Sequence, residues 1–460
     1  MSPLASGPHG QDTLRPLLDT VLDALGTGAA ARGGPLPAGG PAEVAARVAQ
    51  ALGDPLPEDG DEHALRTLVH TLAAGAADPA DPLCAAHLHC PPLAVATAAD
   101  LAASVLNPSL DSWDQAPAAS ELEALVTRAL AHEVHPHGTG DALVTTGGTE
   151  SNQLALLLAR EKHGHVQLVR AAGAHHSLHR AAWLLGLPEP VTVPAPAGTM
   201  DVAALDQALT ALAGPPGTLL VAATAGTTDA GLIDPLPEIA GLCEVHGARL
   251  HIDAAYGGGL LLSDRHRPRL DGLDRAHTVT LDLHKLGWQP VAAGLLAVRD
   301  RDDLTALAHH ADYLNAEDDT EAGLPGLLGR SLRTSRRPDI LKIAVTLRTL
   351  GRRGLGALVD QVCARATDLA DLVDRHPRLD LYDRPTISTV LFRPTGATDD
   401  TVAAVRRTLL TEGRAVLGRA RPDGRLWLKA TLLNPHTGPG DLAALLHLVE
   451  LALPEGPTAR

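Results

Sequence analysis

Residues 278–289, TVTLDLHKLGWQ, alternate threonine with valine and leucine, pass Asp282, and place His284 and Lys285 just ahead of a glycine. The alternation reads as a strand, and the basic pair falls where that strand stops. Lysine is rarely buried without a partner, so a surface cap is one reading of Lys285. The other is a reactive amine, because a lysine in a desolvated or cationic site can form an imine with a carbonyl compound. Working outward, short β-rich runs alternate with helical ones: DALVTT (141–146), ESNQLALLLAREKHG (150–164), VQLVRA (166–171), TLLVAAT (218–224), RLHIDAA (249–255) and AGLLAVR (293–299). This order predicts an α/β fold with a mainly parallel sheet covered on both faces. In such sheets ligands bind beyond the carboxyl ends of the strands, where Lys285 lies.

Three spans are expected along the 460 residues. Residues 1–75 combine helical runs such as LRPLLDTVLDAL with a Pro/Gly-rich connection, and a segment of that kind seldom builds a core alone. Residues 76–350 form the large domain. Residues 351–460 begin within a long helical stretch and end in a compact α+β unit, with TISTVLFRP, AVLGRA and RLWLKATLL as strands.

A net charge of -16 repels polyphosphate and anionic lipid, and no Lys/Arg-rich run offsets it, so nucleic acid and membrane surfaces are excluded as partners. The opening MSPLASGPHGQD does not read as a signal peptide, and no apolar run is long enough to span a bilayer. Four cysteines in so long a chain do not make a disulfide framework. Together these predict a soluble cytoplasmic protein.

The motifs fall at predicted strand ends. TTGGTESN (145–152) opens a helix: its glycines let a ligand approach the backbone, Thr149 offers a hydroxyl, and the helix N-terminus favours an anion. A plain capping turn is the structural alternative. LHIDAAYGG (250–258) ends a buried strand in Asp253, an acid that is costly there without a cationic or hydrogen-bonding partner, followed by Ala254 and Ala255, which leave room for something flat. AGAHHSLHRA (172–181) supplies His175, His176 and His179, any one of which could equally be a cap or a core residue. A phosphate site, an acid for a cationic ring nitrogen, a planar residue for stacking and an amine together describe pyridoxal 5'-phosphate.

On these residues the chain resembles the group II pyridoxal-phosphate amino acid decarboxylases. TTGGTESNQLALLLAR, AHHSLHRAAWLLG, AATAGTTDAG, HIDAAYGG, LDLHKLGW and SLRTSRRPDILK match that family's motifs in order and spacing from about residue 80 to 350. HLHCPP and LNPSLDSWDQAPAASELE are most similar to the bacterial branch acting on diaminobutyrate and related diamino acids, or lysine, in siderophore and polyamine pathways.

The resemblance implies the aspartate aminotransferase-like fold of PLP-dependent transferases, with a seven-stranded large domain and a smaller C-terminal α+β domain. It implies a homodimer with shared active sites, the N-terminal segment swapped between subunits. Lys285 is then the Schiff-base lysine, Asp253 pairs with the pyridine nitrogen, and His175 stacks on the ring with Ala255 on the opposite face. Gly148 and Thr149 hold the phosphate, with His284 and Asp282 nearby, and Thr224 lies close to the ring oxygen. His87, His89 and Cys90 line the substrate pocket. Arg337 or Arg336 binds the substrate carboxylate or braces the fold. The implied reaction is decarboxylation of an L-amino acid, with 2,4-diaminobutyrate or another basic diamino acid as substrate.

Two positions depart from better-known members. Many carry a Tyr on a mobile loop that reprotonates the substrate carbon, and its loss can divert the reaction to oxygen and an aldehyde. Residues 315–332 contain no Tyr, and the nearest is Tyr313. The proton donor is therefore open between groups such as His175 and His284, and an aldehyde-forming oxidase is the competing enzyme reading. Asp282 replaces the Asn of the aromatic amino acid branch, and an acid is a poor direct phosphate partner. Aromatic amino acid decarboxylation and a catalytically silent protein of the same fold are the further alternatives. CAAHLHC (84–90) is not a known zinc-finger spacing, and HEVHPH (132–137) spaces its histidines three apart with Pro136 breaking the helix, so no metal is expected.

Overall fold

A computed structural model of the chain describes residues 4–453 apart from 310 and 423. Its strands are β1 (Cys84–Ala85), β2 (Asp141–Thr145), β3 (Gln167–Ala171), β4 (Val191–Val193), β5 (Leu219–Thr224), β6 (Arg249–Ala254), β7 (Thr278–Asp282), β8 (Gly294–Val298), β9 (Leu379–Leu381), β10 (Thr389–Pro394), β11 (Val416–Ala420) and β12 (Trp427–Thr431). The chain divides into two compact units.

The larger unit comprises residues 92–364 and 385–388. Its seven-stranded sheet runs in the order β2-β8-β7-β6-β5-β3-β4. Strands β4, β3, β5, β6 and β7 pair in parallel, and β8 runs antiparallel to both β7 and β2. The sheet is thus mainly parallel, as its strand-helix alternation predicts. Every residue of β5, β6, β7 and β8 is buried. Continuous apolar runs such as Leu219–Ala223 suit strands covered on both faces. The helices Gly148–His163 and His176–Leu184 pack Leu156, Ala159, Leu178 and Ala181 against Leu168, Leu220 and Ala222. This packing fixes where the loops after β2 and β3 emerge.

The smaller unit groups residues up to 91 with 365–384 and 389 onward. This grouping and the three spans expected from sequence do not coincide. The reason is pairing at long range: Cys84 and Ala85 lie parallel to Val416 and Leu417. Its five-stranded sheet has the order β1-β11-β12-β10-β9, with a core built from Leu369, Val373, Phe392, Val405, Leu428 and Leu445 among others. Among the described residues no helix is long and apolar enough to cross a membrane.

Candidate active site

The site is built at the carboxyl ends of β2, β3, β5, β6 and β7. Strand β7 delivers Asp282, and the turn that follows brings Lys285 back over it: Lys285 N donates to Asp282 O, and Nζ lies 2.9 Å from Asp282 Oδ2. Asp282 is 2% exposed at its side chain, so its charge is out of bulk water and is met by this ammonium. His284 Nε2 is 3.6 Å from the same oxygen, while its Nδ1 accepts from Ala293 N. Burial lowers the His284 pKa against the opposing pull of Asp282. The acid expected near a phosphate is therefore engaged by the lysine.

Strand β2 leads into Gly147 and Gly148, where the helix Gly148–His163 begins. A Cβ on Gly148 would stand 3.0 Å from Ala255 Cβ and 3.2 Å from Asp282 Oδ2, tight enough that these neighbours would have to give by a few tenths of an ångström. Gly147 has φ 154°, and a Cβ there would meet His284 Cε1 at 3.0 Å. The two glycines keep open a cradle whose walls are Ala255, Asp282 and His284, under the first N–H groups of a 16-residue helix. Thr149 stands exposed in the first turn of that helix.

Strand β6 presents Asp253, which is 5% exposed. Its Oδ1 accepts from Ala255 N at 3.1 Å, and its Oδ2 accepts from Asn152 Nδ2 at 2.8 Å. Strand β5 ends in Thr224, whose buried Oγ1, like Asp282 Oδ1, has no hydrogen-bond partner among the described residues. After β3, His175 is the N-cap of the helix His176–Leu184: its Nδ1 accepts from Ser177 N at 3.3 Å and lies 2.8 Å from Ser177 Oγ. Its pKa is lowered, chiefly by burial, and it feels the charges of Asp253, Lys285 and Asp282. Residues distant in sequence thus share one electrostatic environment.

The two arginines expected from sequence have partners of their own. Arg337 gives its guanidinium to the helix Ala94–Leu106, with Nη1 2.9 Å from Asp100 Oδ1 and Nη2 donating to Asp100 O and Ser104 Oγ. Arg336 forms a buried pair with both carboxylate oxygens of Glu123. His87, His89 and Cys90 belong to the smaller unit, just after β1, and Cys90 is buried. Among the described residues no group of three or more His, Cys, Asp or Glu is arranged to hold a metal. Tyr313 is 81% exposed.

Four polar residues next to Asp253 and His175 were not singled out from the sequence: Asn152, Ser177, His251 and Thr280. All four are fully buried. The signal was present, since Asn152 and His251 lie inside the GGTESN and HIDAA motifs, but their partners are far away along the chain.

The residues fit pyridoxal phosphate on the structure's own terms. The glycine cradle would be narrowed by an added Cβ, Thr224 Oγ1 is buried without a partner among the described residues, a buried carboxylate stands at β6, and an amine stands just after β7. Fold and donor set together are those of a pyridoxal-phosphate-dependent enzyme.

The particular class follows from comparison. The model of the pyridoxal-dependent decarboxylase conserved domain matches residues 49–395, and the chain belongs to this family of pyridoxal-phosphate-dependent amino acid decarboxylases, which are carboxy-lyases. It is 41% identical to an L-2,4-diaminobutyrate decarboxylase of Rhizobium meliloti (strain 1021), over 88% of this chain and 84% of the relative. It is 34% identical to that of Acinetobacter baumannii, over 76% of each chain. Among solved structures it is similar to the glutamate decarboxylase domain of diaminobutyrate-pyruvate transaminase and L-2,4-diaminobutyrate decarboxylase from Vibrio parahaemolyticus. That match has a TM-score of 0.85 and 30% identity, covering 98% of this chain and 97% of that one.

Proposed function

We propose that this decarboxylase acts on L-2,4-diaminobutyrate, or on another basic diamino acid, releasing carbon dioxide and the corresponding amine. The observation that carries the substrate is the 41% identity, over most of both chains, to the Rhizobium meliloti enzyme of that name.

In this reading Lys285 would be the residue that tethers the cofactor through its amine. Asp253 would meet the pyridine nitrogen and favour its protonated form, since an opposite charge at hydrogen-bonding distance favours the charged form by roughly one to three pKa units. When bound, the cofactor supplies an electron sink for the pair left as carbon dioxide departs. His175 and Ala255 would hold the ring between them, Gly148 and Thr149 would receive the phosphate, and Thr224, whose hydroxyl has no partner among the described residues, would bind near the ring oxygen. Asp282 holds the Lys285 amine in place through their ion pair, with His284 alongside. Contacts to the substrate carboxylate and side chain would orient the substrate and so select decarboxylation. His87, His89, Cys90 and Arg337 stand as candidates for those contacts on resemblance. We further propose a cytoplasmic homodimer with shared sites, in which the N-terminal helices exchange between subunits.

The test is a screen of the common amino acids plus ornithine, diaminobutyrate and diaminopropionate for released carbon dioxide. Diaminobutyrate turning over fastest, with amine in stoichiometric yield, supports the proposal. Aldehyde, ammonia and peroxide with oxygen uptake would overturn the reaction type, and preference for an aromatic amino acid would overturn the substrate. Light scattering that gives a fully active monomer would contradict the dimer.

A further inference from the structure

Asn152 uses every hydrogen-bonding position of its side-chain amide. Nδ2 donates to Asp253 Oδ2 at 2.8 Å and to Ser177 Oγ at 2.9 Å. Oδ1 accepts from Thr280 Oγ1 at 2.8 Å and lies 2.9 Å from His251 Nε2. The direction of these bonds is forced. An ionised Asp253 only accepts, so the amide edge facing it must be the NH2. Oδ1 then faces His251, which must carry its proton on Nε2, leaving Nδ1 to accept from Thr278 Oγ1 at 2.9 Å. Burial pushes the His251 pKa down to about 4, so the ring is neutral and suits this single-proton arrangement.

We propose that Asn152, anchored by His251, is a positioning residue for the reaction: it holds the Asp253 carboxylate in the orientation that meets the cofactor's ring nitrogen. This rests on the reading of Asp253 given above. The neutrality of His251 matters to the device, because a Nε2–H donor pins the amide oxygen without adding a positive charge beside Asp253 to compete for its negative charge. Of the two oxygens of Asp253, one is held by a backbone N–H of its own turn and the other by Asn152, so the amide is the only side chain among the described hydrogen bonds that orients this acid. Its own orientation in turn comes from β6 through His251 and from β7 through Thr280.

The experiment reads the ring nitrogen directly, by the 15N chemical shift of 15N-labelled pyridoxal phosphate bound to the full-length protein, together with its dissociation constant. In the unaltered protein the nitrogen is expected to be protonated. Asn152→Leu is expected to move the resonance toward the unprotonated value and to weaken cofactor binding at least tenfold. His251→Leu is expected to do the same in smaller measure, about three- to tenfold. His251→Gln retains a donor toward Asn152 and is expected to restore the resonance and to bind within threefold of the unaltered protein. If Asn152→Leu fails to fold, the contrast between the two His251 variants carries the test. An unmoved resonance and unaltered affinity in the leucine variants would overturn the inference. Asp253→Ala separates the two levels: a resonance unmoved there sinks the reading of Asp253 itself, whereas movement there and none in the Asn152 and His251 variants sinks only the positioning role.

Discussion

Lys285 Nζ and Asp282 Oδ2 stand 2.9 Å apart, three residues from each other across the turn that ends β7, with side chains 20% and 2% exposed. Removing the carboxylate leaves the ammonium in a largely dry site, and an unpaired buried polar group costs about 1–3 kcal/mol. Asp282→Ala is therefore expected to destabilise the cofactor-free protein by that amount in urea denaturation. A variant as stable as the original would mean that the pair contributes nothing.

Lys285→Ala removes the amine itself. Bound cofactor should lose its covalent link, seen as loss of the cofactor-lysine adduct after borohydride reduction and mass spectrometry. Turnover should fall at least on the order of 10² to 10⁴-fold, the range typical of losing a positioned general acid or base. Normal turnover would sink the assignment.

Gly148→Ala tests the cradle. With the new Cβ 3.0 Å from Ala255 Cβ and 3.2 Å from Asp282 Oδ2, the space beneath the helix N-terminus narrows. Affinity for pyridoxal phosphate should drop about tenfold, or about 1.4 kcal/mol. The stability of the cofactor-free protein should shift by less than about 1 kcal/mol, since alanine is itself favoured in a helix. Equilibrium dialysis and thermal unfolding separate the two effects.

Buried histidines set an acid limit on stability. His251 and His135 both have pKa values pushed down to about 4, in each case first by burial. The unfolded chain takes up these protons near pH 6.5, whereas the folded chain refuses them until about pH 4. The unfolded state thus binds more protons in that window, and stability falls as pH is lowered from about 6.5 towards 4, by up to about 3 kcal/mol per group. Above that window these groups contribute no slope. Melting temperatures across pH 4.5–7.5 should show the decline, and His251→Gln should flatten part of it; an unchanged slope in that variant would exclude His251 as a source.

Arg336 and Glu123 pair with side chains only 2% and 5% exposed. Arg336→Ala strands the carboxylate and should cost roughly 3–5 kcal/mol. Replacing both residues with apolar ones of similar volume should cost less than the single change, because no lone charge is left behind. A double variant less stable than the single would contradict this account.

How much of this was legible in the sequence can be argued residue by residue. The gathering of Lys285, Asp253, Thr224, Gly148 and His175 at strand ends was readable because each sits where a hydrophobic run stops, and a parallel sheet turns strand ends into one surface. The antiparallel β8 was not readable, since AGLLAVR has the same apolar run whichever way the strand points. Strand β1 was missed as well: two residues carry no periodicity, and its partner lies more than 300 residues away at Val416 and Leu417. Arg336 and Arg337 were legible as important cations but not as to their partners, which Glu123 and Asp100 supply from distant helices.

By itself, then, the sequence determined the elements and which reactive side chains stand at their ends, because side-chain periodicity and turn composition are local properties. Only the tertiary structure decided the network behind that chemistry. Asn152 meets Ser177, His251, Asp253 and Thr280 across separations of 25 to 128 residues. Hydrogen-bond direction among buried groups depends on where the backbone brings them, and no local pattern encodes that.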